Sequence, residues 1–366
     1  MMCAEPHSGW LEHVPNITQC IEKDALKLLQ ALNDEKQSKI DDCLNDKFVK
    51  QWINTNCRVK DITKPRLVFP EDTEYVTCLC YAARANDASI VRQLVQSGSN
   101  VTITDSRGLT PLHNACLAER DVKEKVNFLL ACDPSMLHTR TLSFNTPLVL
   151  AARRGHRDVI SILIQHDADI NDTGEYGRTP LHAASWFGHV ACIDELVRLG
   201  ADVEARDTER EATPLMLAAT SNENASVDAL INRHGASINA ADTYGWTALH
   251  RAAYSGHIAV VKTLSSDLRC CYSALDASGR TALDIARING HTAVVELLRD
   301  SEDTALQYAA RGTNVTSSIA AVHVSNNEKS VGKYKYQYNR MPFLKTVTSH
   351  TYEYGVIMFA KSHKSN

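Results

Sequence analysis

Three histidines each follow a threonine by three residues and are the first candidates for chemistry in this chain. Histidine is the side chain used most often for proton transfer in catalysis, because its pKa lies near neutral pH. A histidine repeated at the same position along the chain favours a structural role over a catalytic one. The pairs are Thr110 with His113, Thr179 with His182, and Thr247 with His250.

Cysteine is the second candidate, because its thiolate binds metals and takes part in redox reactions. The chain has 11 cysteines, an odd number, and no C-x-x-C pair. We interpret them as reduced, buried thiols, with Cys116 and Cys192 at core positions of the repeats described below. Cys270 and Cys271 could form a redox pair, but adjacent cysteines seldom bridge one another, so two buried thiols are the preferred interpretation.

No active-site motif accompanies these residues. The chain lacks glycine-rich phosphate-binding loops, the H-E-x-x-H zinc motif and the G-x-S-x-G nucleophile motif. Its 15 histidines are spread along the chain instead of clustering as metal ligands. The sequence therefore predicts a protein that is not an enzyme, without catalytic residues, metal site, cofactor or small-molecule substrate.

The elements that position the histidines recur along most of the chain. Tetrads such as Thr179-Pro180-Leu181-His182 begin at intervals of 36, 33, 34, 34 and 34 residues, and a diverged copy at Thr77 begins 33 residues before the first. The tetrads begin at Thr110, Thr146, Thr179, Thr213, Thr247 and Thr281. A period near 33 that begins with T-P-L-H-x-A and ends with G-A-D-[VI] resembles the ankyrin repeat.

The resemblance covers about seven repeats over residues 73–300. It implies an all-α fold, an ankyrin-repeat solenoid of stacked helix-turn-helix units with β-hairpin fingers and a helical N-terminal cap. In this family the histidine of the tetrad belongs to a hydrogen-bond network that ties neighbouring repeats. The resemblance assigns that role to the three histidines named above.

Local residue types explain why each unit would fold in this way. Threonine can cap the start of a helix, and proline suits the first helical position, where no N–H is needed. The glycine of Gly188-His189 closes the helix in a left-handed conformation. Leu181 and Ala184 would then face inward at helical spacing.

Repeat two departs from the pattern. It lacks the helix-closing glycine, and residues 132–138 replace the G-A-D stretch. We interpret this as drift of the repeat sequence, and a bulge beside the binding surface is the alternative.

Residues 1–72 precede the array and do not match the repeat. Apolar residues at helical spacing predict two amphipathic helices in this region. We expect them to cap the first repeat, and a separate partner-binding helical hairpin is the alternative. The apolar residues are Ile17, Ile21, Leu28 and Leu32 in one helix and Ile40, Leu44, Phe48 and Trp52 in the other.

Residues 301–366 follow the array and differ from it in charge. From Glu302 onwards there are eight Lys or Arg and four Asp or Glu, and half of the 12 tyrosines lie here. The segment from Thr304 to Gly312 looks like the start of another first helix, which predicts a partial cap. For the rest we expect a flexible basic tail, and nucleic-acid binding through stacked tyrosines is the less favoured alternative.

Composition narrows the partners and the location. The formal net charge of -4 supplies no general electrostatic reason to bind nucleic acid or an anionic membrane. No apolar run approaches the roughly 18 residues of a spanning helix, and no secretory signal is visible. We expect a cytoplasmic protein, with the nucleus as a possible second location.

Partners in the ankyrin family usually lie along the concave face made by the fingers and the first helices. Tyrosine, tryptophan and arginine carry much of the binding energy at protein interfaces. The residues that the resemblance places there are Arg153, Arg154, Tyr176, Trp186, Phe187, Tyr244, Trp246 and Tyr254. The alternative is that the rings merely pack between neighbouring fingers. We expect Trp186 to be exposed, and both interpretations stay open for Trp246.

A second resemblance concerns Asn171. Leu163 followed by Asp169-Ile170-Asn171 resembles the context in which ankyrin asparagines are hydroxylated by an oxygen-dependent asparaginyl hydroxylase. The structural interpretation, which holds either way, is that Asn171 stabilises a turn.

Two functions compete at this point. The first is a non-enzymatic adaptor or scaffold whose repeats bind protein partners. The second is the substrate-recognition subunit of a ubiquitin ligase. The L-x-x-L-C-R pattern expected of a ligase-recruiting box is absent from the tail, which weighs against the second function.

Overall fold

Helices make up most of the structure. The computed structural model describes residues 15–47, 49, 53–58 and 75–310. Helices α1 (Pro15–Asn33) and α2 (Gln37–Leu44) come first, followed by strands β1 (Cys57–Arg58) and β2 (Tyr75–Val76). The two strands pair antiparallel, with Cys57 opposite Val76.

Seven helix pairs follow in the described residues, one for each predicted repeat. The pairs are α3 (Cys78–Ala85) with α4 (Ala88–Gln96), α5 (Pro111–Cys116) with α6 (Val122–Cys132), α7 (Pro147–Arg154) with α8 (Arg157–Gln165), α9 (Pro180–Trp186) with α10 (Val190–Arg198), α11 (Pro214–Thr220) with α12 (Asn224–Asp228), α13 (Ala248–Ser255) with α14 (Ile258–Ser265), and α15 (Ala282–Ile288) with α16 (Thr292–Ala310). Short 3-10 turns lie at Pro134–His138 and Glu175–Gly177, and α12 continues as a π-helical turn over Ala229–Arg233. The helix pairs confirm the predicted all-α repeat architecture.

Each first helix of a pair begins at a threonine cap. The side chain of Thr179 accepts a hydrogen bond from the backbone N–H of His182, and Thr213 accepts one from Met216. Four of these helices also place a proline in the first turn. Such a cap stabilises a helix by about 1 kcal/mol, so the threonines fix where every unit starts.

Glycine closes the first helix for two physical reasons. Gly155 and Gly256 have φ angles of +79° and +75°, in the left-handed region that glycine adopts without strain. A Cβ at Gly155 would lie 2.8 Å from Nδ1 of His189, and one at Gly256 would lie 2.6 Å from Nδ1 of His291. The missing side chain therefore makes room for the next repeat.

The stacked pairs share one continuous apolar core. Leu181 and Ala184 in α9 are fully buried, as the helical spacing predicts, and so are Cys192, Ile193 and Leu196 in α10. Small alanine side chains let the first helices approach closely. No single pair could bury its apolar face alone, so the repeats stabilise one another.

The N-terminal helix α1 covers the outer side of the first pair. Leu28, Leu29 and Leu32 are buried in the shared core. The Tyr81 hydroxyl donates to Oδ1 of Asn33 at 2.8 Å, and the Asn86 amide donates to the carbonyl oxygen of Leu32 at 3.0 Å. These contacts agree with the capping interpretation of this region.

The fingers, which are the turns before each first helix, keep the hairpin turn without forming a ladder. In the finger before α13, the backbone N–H of Asp242 donates to the carbonyl of Trp246 at 3.0 Å. The N–H of Ala277 in the next finger donates to the carbonyl of Tyr244 at 2.8 Å. The arms are too short for further pairing, so the predicted β-hairpins are reduced to linked turns.

The C-terminal boundary differs from the sequence prediction. Thr304 does not start a new first helix, because α16 continues through it from Thr292 to Ala310. No glycine or proline interrupts this stretch, and the Ser301 hydroxyl donates to the carbonyl of Leu297 at 2.8 Å within the helix. The basic tail predicted beyond it lies outside the described residues.

The thiols in the described residues are free and mostly buried. Cys116 and Cys192 are buried in the core, and Cys270 and Cys271 are buried side by side. Burial raises the pKa of Cys270 to about 12, which suppresses the reactive thiolate. The interpretation of Cys270 and Cys271 as buried thiols is confirmed.

Candidate protein-binding surface

The predicted binding residues occupy two recurring positions of the repeat. Tyr176, Tyr244 and Trp246 lie in fingers, whereas the others lie at the C-terminal ends of first helices. The residues at helix ends are Arg153, Arg154, Trp186, Phe187 and Tyr254. Because the repeats stack in register, these positions come together along the array, and we call them the finger–helix surface.

Phe187 is the centre of one group. Its exposed ring lies under the guanidinium of Arg153, with Cζ 5.1 Å from the ring centroid, and stacks on the ring of His189 at 6.4 Å. Arg153 is half-buried, and burial lowers its pKa. Arg154 is exposed and points elsewhere, because it pairs with Glu119 at 3.4 Å.

Arg178 organises the neighbouring finger. Its Cζ lies 5.1 Å from the centroid of Tyr176 and 5.7 Å from that of Trp186. The exposed Tyr176 ring is therefore fixed from one side. Trp186 is half-buried against the core, which makes it less exposed than predicted.

A second group forms around Tyr244. Arg210 stands over its exposed ring, with Cζ 5.7 Å from the centroid. Trp246 packs at a tilt against Tyr254, with the ring centroids 5.2 Å apart. Trp246 is half-buried and Tyr254 is at the edge of exposure, so Trp246 combines packing with partial access to solvent.

Glu209 joins the two groups. One of its carboxylate oxygens lies 3.2 Å from Nη2 of Arg178, and the other lies 3.8 Å from Nε of Arg210. The structure therefore brings seven of the eight predicted residues into one line of rings and arginines. Arg154 is the exception, since its ion pair draws it toward repeat two.

Arg251 supports this surface and was not singled out from the sequence. Its Nη2 lies 2.8 Å from Oδ2 of Asp242, and both side chains are buried. Oδ1 of Asp242 accepts hydrogen bonds from the backbone N–H groups of Tyr244 and Trp246. Burial lowers the pKa of Arg251, while Asp242 opposes that shift. The pair holds the finger that presents both rings, and the only sequence signal is the arginine next to His250.

The tetrad histidines tie each repeat to the following one, as the resemblance implies. Nδ1 of His182 accepts from the N–H of Thr179 at 3.2 Å, and its Nε2 faces the carbonyl of Ala212 at 2.9 Å. His113 and His250 repeat this arrangement with Asn145 and Arg280. These side chains are occupied in structural bonds.

A second series of histidines ties each repeat to the preceding one, and this role was missed in the sequence. Nε2 of each histidine in a Gly-His pair lies 2.9 to 3.0 Å from a carbonyl at the end of the previous first helix. The partners are His156 with Ala118, His189 with Arg153, His257 with Thr220, and His291 with Tyr254.

Lys125 takes over this bond in repeat two, which lacks Gly-His. It is fully buried, and its Nζ donates to the carbonyl of Asn86 at 3.0 Å. Burial lowers the pKa of Lys125 to about 8. A lysine in a helix usually indicates a solvated position, so the sequence carried no signal for this role.

Asn171 bridges two repeats. Its side-chain oxygen accepts a hydrogen bond from the N–H of Asp202 at 3.0 Å, and its own N–H donates to Oδ1 of Asp169 at 2.9 Å. The residue is exposed. Its turn-stabilising role is thus visible, and hydroxylation stays a prediction.

Neither a metal site nor a membrane span is found in the described residues. No group of three or more His, Cys, Asp or Glu in residues 15–47, 49, 53–58 and 75–310 could hold a metal ion. Within the same part of the chain, no helix has the length and apolarity needed to cross a membrane.

Comparison with known proteins agrees with the repeat architecture. A family model described as ankyrin repeats (three copies) matches residues 42–138, 118–207 and 204–274. Ankyrin repeat protein nuc-2 of Neurospora crassa is 28% identical over 195 residues, which cover 53% of this chain and 18% of that protein. Neurogenic locus notch homolog protein 1 of Xenopus tropicalis is 32% identical over 142 residues, covering 39% of this chain and 6% of that protein.

A viral relative extends the comparison. A putative ankyrin repeat protein of fowlpox virus is 34% identical over 163 residues, which cover 42% of this chain and 46% of that protein. The chain thus spans less than half the length of each of these three relatives. The family model covers most of the chain and coincides with the capped helix pairs, and this chain therefore belongs to the ankyrin-repeat family.

Proposed function

We propose that this chain is a non-enzymatic adaptor or scaffold that binds protein partners through its finger–helix surface, on the concave face of the array. The observation that carries the proposal is the line of rings and arginines linked by Glu209. Phe187, Tyr176 and Tyr244 keep exposed ring area although cation–π contacts hold them in place. Fixed aromatic rings lose little conformational entropy on binding, which suits them to anchor a partner.

Replacing Phe187, Tyr244 and Tyr254 with alanine tests this proposal. These three rings are the more exposed members of the surface, so the fold should tolerate their removal. We expect pull-downs from cells to lose the partners that the wild-type chain retains. Ile258→Ala, which removes an exposed apolar side chain from a second helix, is the matched control and should retain them.

Thermal melts of both variants exclude unfolding as the cause of a loss. A triple variant that melts like the wild type and retains every partner would contradict the assignment. Ligase subunits in the wild-type pull-down would instead favour the ubiquitin-ligase alternative. We also propose residues 1–72, 73–300 and 301–366 as cap, array and tail, and a cytoplasmic location with the nucleus as a second site, which a fluorescent fusion would reveal.

We further propose Asn171 as a site of asparaginyl hydroxylation. Its side chain is exposed in a turn, and its context matches the pattern that the family resemblance supplied. The mass of a peptide covering Asn171 from oxygenated cells should exceed the unmodified mass by one oxygen atom. An unmodified peptide from such cells would count against the proposal.

A further inference from the structure

The finger before α7 presents two large apolar side chains to solvent. Leu142 is 73% exposed and Phe144 is 65% exposed. Phe144 also has a φ of +62°, at a position where other fingers carry Gly108, Gly245 and Gly279 with φ of +72° to +74°. A left-handed conformation costs a residue with a Cβ roughly 1–2 kcal/mol. No burial of the ring offsets this strain, and strained residues of this kind cluster at functional sites.

The two side chains, which we call the apolar fingertip, are held firmly. The N–H of Leu142 donates to the carbonyl of Arg107 at 3.0 Å, and that of Phe144 donates to the carbonyl of Thr141 at 2.8 Å. Nη1 of Arg140 donates to the carbonyl of Phe144 at 3.1 Å. On the other side, Oδ1 of Asn145 accepts from the N–H of Glu175 at 3.2 Å. The fingertip is therefore preorganised, which lowers the entropic cost of binding.

Arginines border the apolar fingertip. Arg107 lies in the adjacent finger and accepts the Leu142 hydrogen bond through its carbonyl. Arg84 and Arg153 occupy the same position at the ends of α3 and α7. Burial lowers the pKa of Arg153, and repulsion from Arg107, Arg154 and Arg84 acts in the same direction.

Few carboxylates compensate this positive charge. Glu175 opposes the shift at Arg153, and Glu119 pairs with Arg154. Guanidinium groups that repel one another gain most from a ligand that carries carboxylates, which accept two hydrogen bonds from each arginine. The border thus favours negative charge in whatever covers the fingertip.

We propose that the apolar fingertip, with Arg84, Arg107 and Arg153, binds an acidic peptide segment of a partner that also carries large apolar side chains. The apolar side chains contact Leu142 and Phe144, while the carboxylates contact the arginines. This inference rests on the proposed adaptor function, since Arg153 belongs to both surfaces, and it specifies the chemistry of the partner.

Selection from a random 16-residue peptide library displayed on phage, with the full chain as bait, tests the inference. We expect enriched peptides to combine Asp or Glu with Leu, Ile, Phe or Trp. Synthetic versions of these peptides should bind the variants Phe144→Gly and Arg84→Gln/Arg107→Gln about tenfold more weakly or worse. Leu268→Ser, which removes another highly exposed leucine, is the matched control and should leave binding unchanged.

Thermal melting separates binding from folding at Phe144. Phe144→Gly should melt at the same temperature as the wild type or higher, because glycine relieves the strain at positive φ. A clear fall in melting temperature would make Phe144 a structural residue and overturn the inference. A dimer that Phe144→Gly converts to monomers would show that a second copy covers the fingertip, which would also overturn it.

The outcomes distinguish the inference from the adaptor proposal. Enriched peptides that lack acidic residues, or that depend on Phe187 and Tyr254 but not on Phe144 and Arg107, would overturn the inference and leave the adaptor proposal standing. A selection that enriches no peptide above the bare support would contradict both.

Discussion

The tetrad histidines have a protonation state that their hydrogen bonds define. Nδ1 of His182 accepts from the backbone N–H of Thr179, so this nitrogen carries no proton, and Nε2–H must donate to the carbonyl of Ala212. A second proton on the ring would face a backbone N–H inside the core. Burial accordingly lowers the pKa of His113 and of His182 to about 4. The residues that first suggested proton transfer are fixed in the neutral form.

Acid should therefore destabilise the array through these histidines. The folded-state pKa of about 4 for His182 lies below the unfolded value of 6.5, so the unfolded chain binds more protons between them. The stability from neutral His182 is present above pH 6.5 and is lost as the pH falls toward 4. Between pH 7 and pH 5, the unfolding free energy of the wild type should fall by about 2 kcal/mol relative to that of His182→Gln.

Urea unfolding at the two pH values measures this difference. Met216 occupies the same position in repeat five and carries no titratable group, so Met216→Leu should change stability equally at both pH values. An unchanged difference between wild type and His182→Gln would show that His182 does not oppose protonation in the fold.

The first helices owe their boundaries to local chemistry, whereas their connections depend on stacking. Threonine caps and closing glycines act within one repeat, so spacing alone located the helix starts. The roles of Lys125 and of His189 depend on how two helix pairs stack, which no local pattern specifies. The half-burial of Trp186 has the same origin, because Arg178 from the preceding finger lies over its ring. Helix α16 runs past the predicted boundary, since Thr304 lacks the proline and glycine signals of a helix start.

Removing a core side chain from α1 should weaken the first repeat before the others. Leu28 is fully buried against the array, so Leu28→Ala is expected to lower the unfolding free energy by about 2–5 kcal/mol. Amide hydrogen exchange should show the largest loss of protection in α3, which α1 covers, and the smallest in α15. Lys27→Ala, one residue away and exposed, is the control. Equal loss of protection in α3 and α15 would contradict a capping role for α1.

Across the whole molecule, each pair of neighbouring repeats is joined by at least one buried or half-buried polar bond. Cys80 and Lys125 join the first two repeats through Leu109 and Asn86. His113 and His156 both join repeats two and three, whereas His189 and His257 act without a tetrad histidine at the junctions before repeats four and six. The array therefore couples nearest neighbours only, as expected of a solenoid.

Nearest-neighbour coupling predicts which pairs of mutations are additive. His113→Gln and His156→Ala both act on the junction of repeats two and three, and each should cost about 1–3 kcal/mol by leaving a carbonyl unsatisfied. Their combination should deviate from the sum by more than about 0.5 kcal/mol, because each loosens the junction that the other bond needs. His156→Ala with His291→Ala, which lie at junctions separated by several repeats, should add to within about 0.5 kcal/mol. Denaturant unfolding of the four variants and two combinations measures both coupling energies, and equal values would mean that the array folds as one globular unit instead of a chain of coupled neighbours.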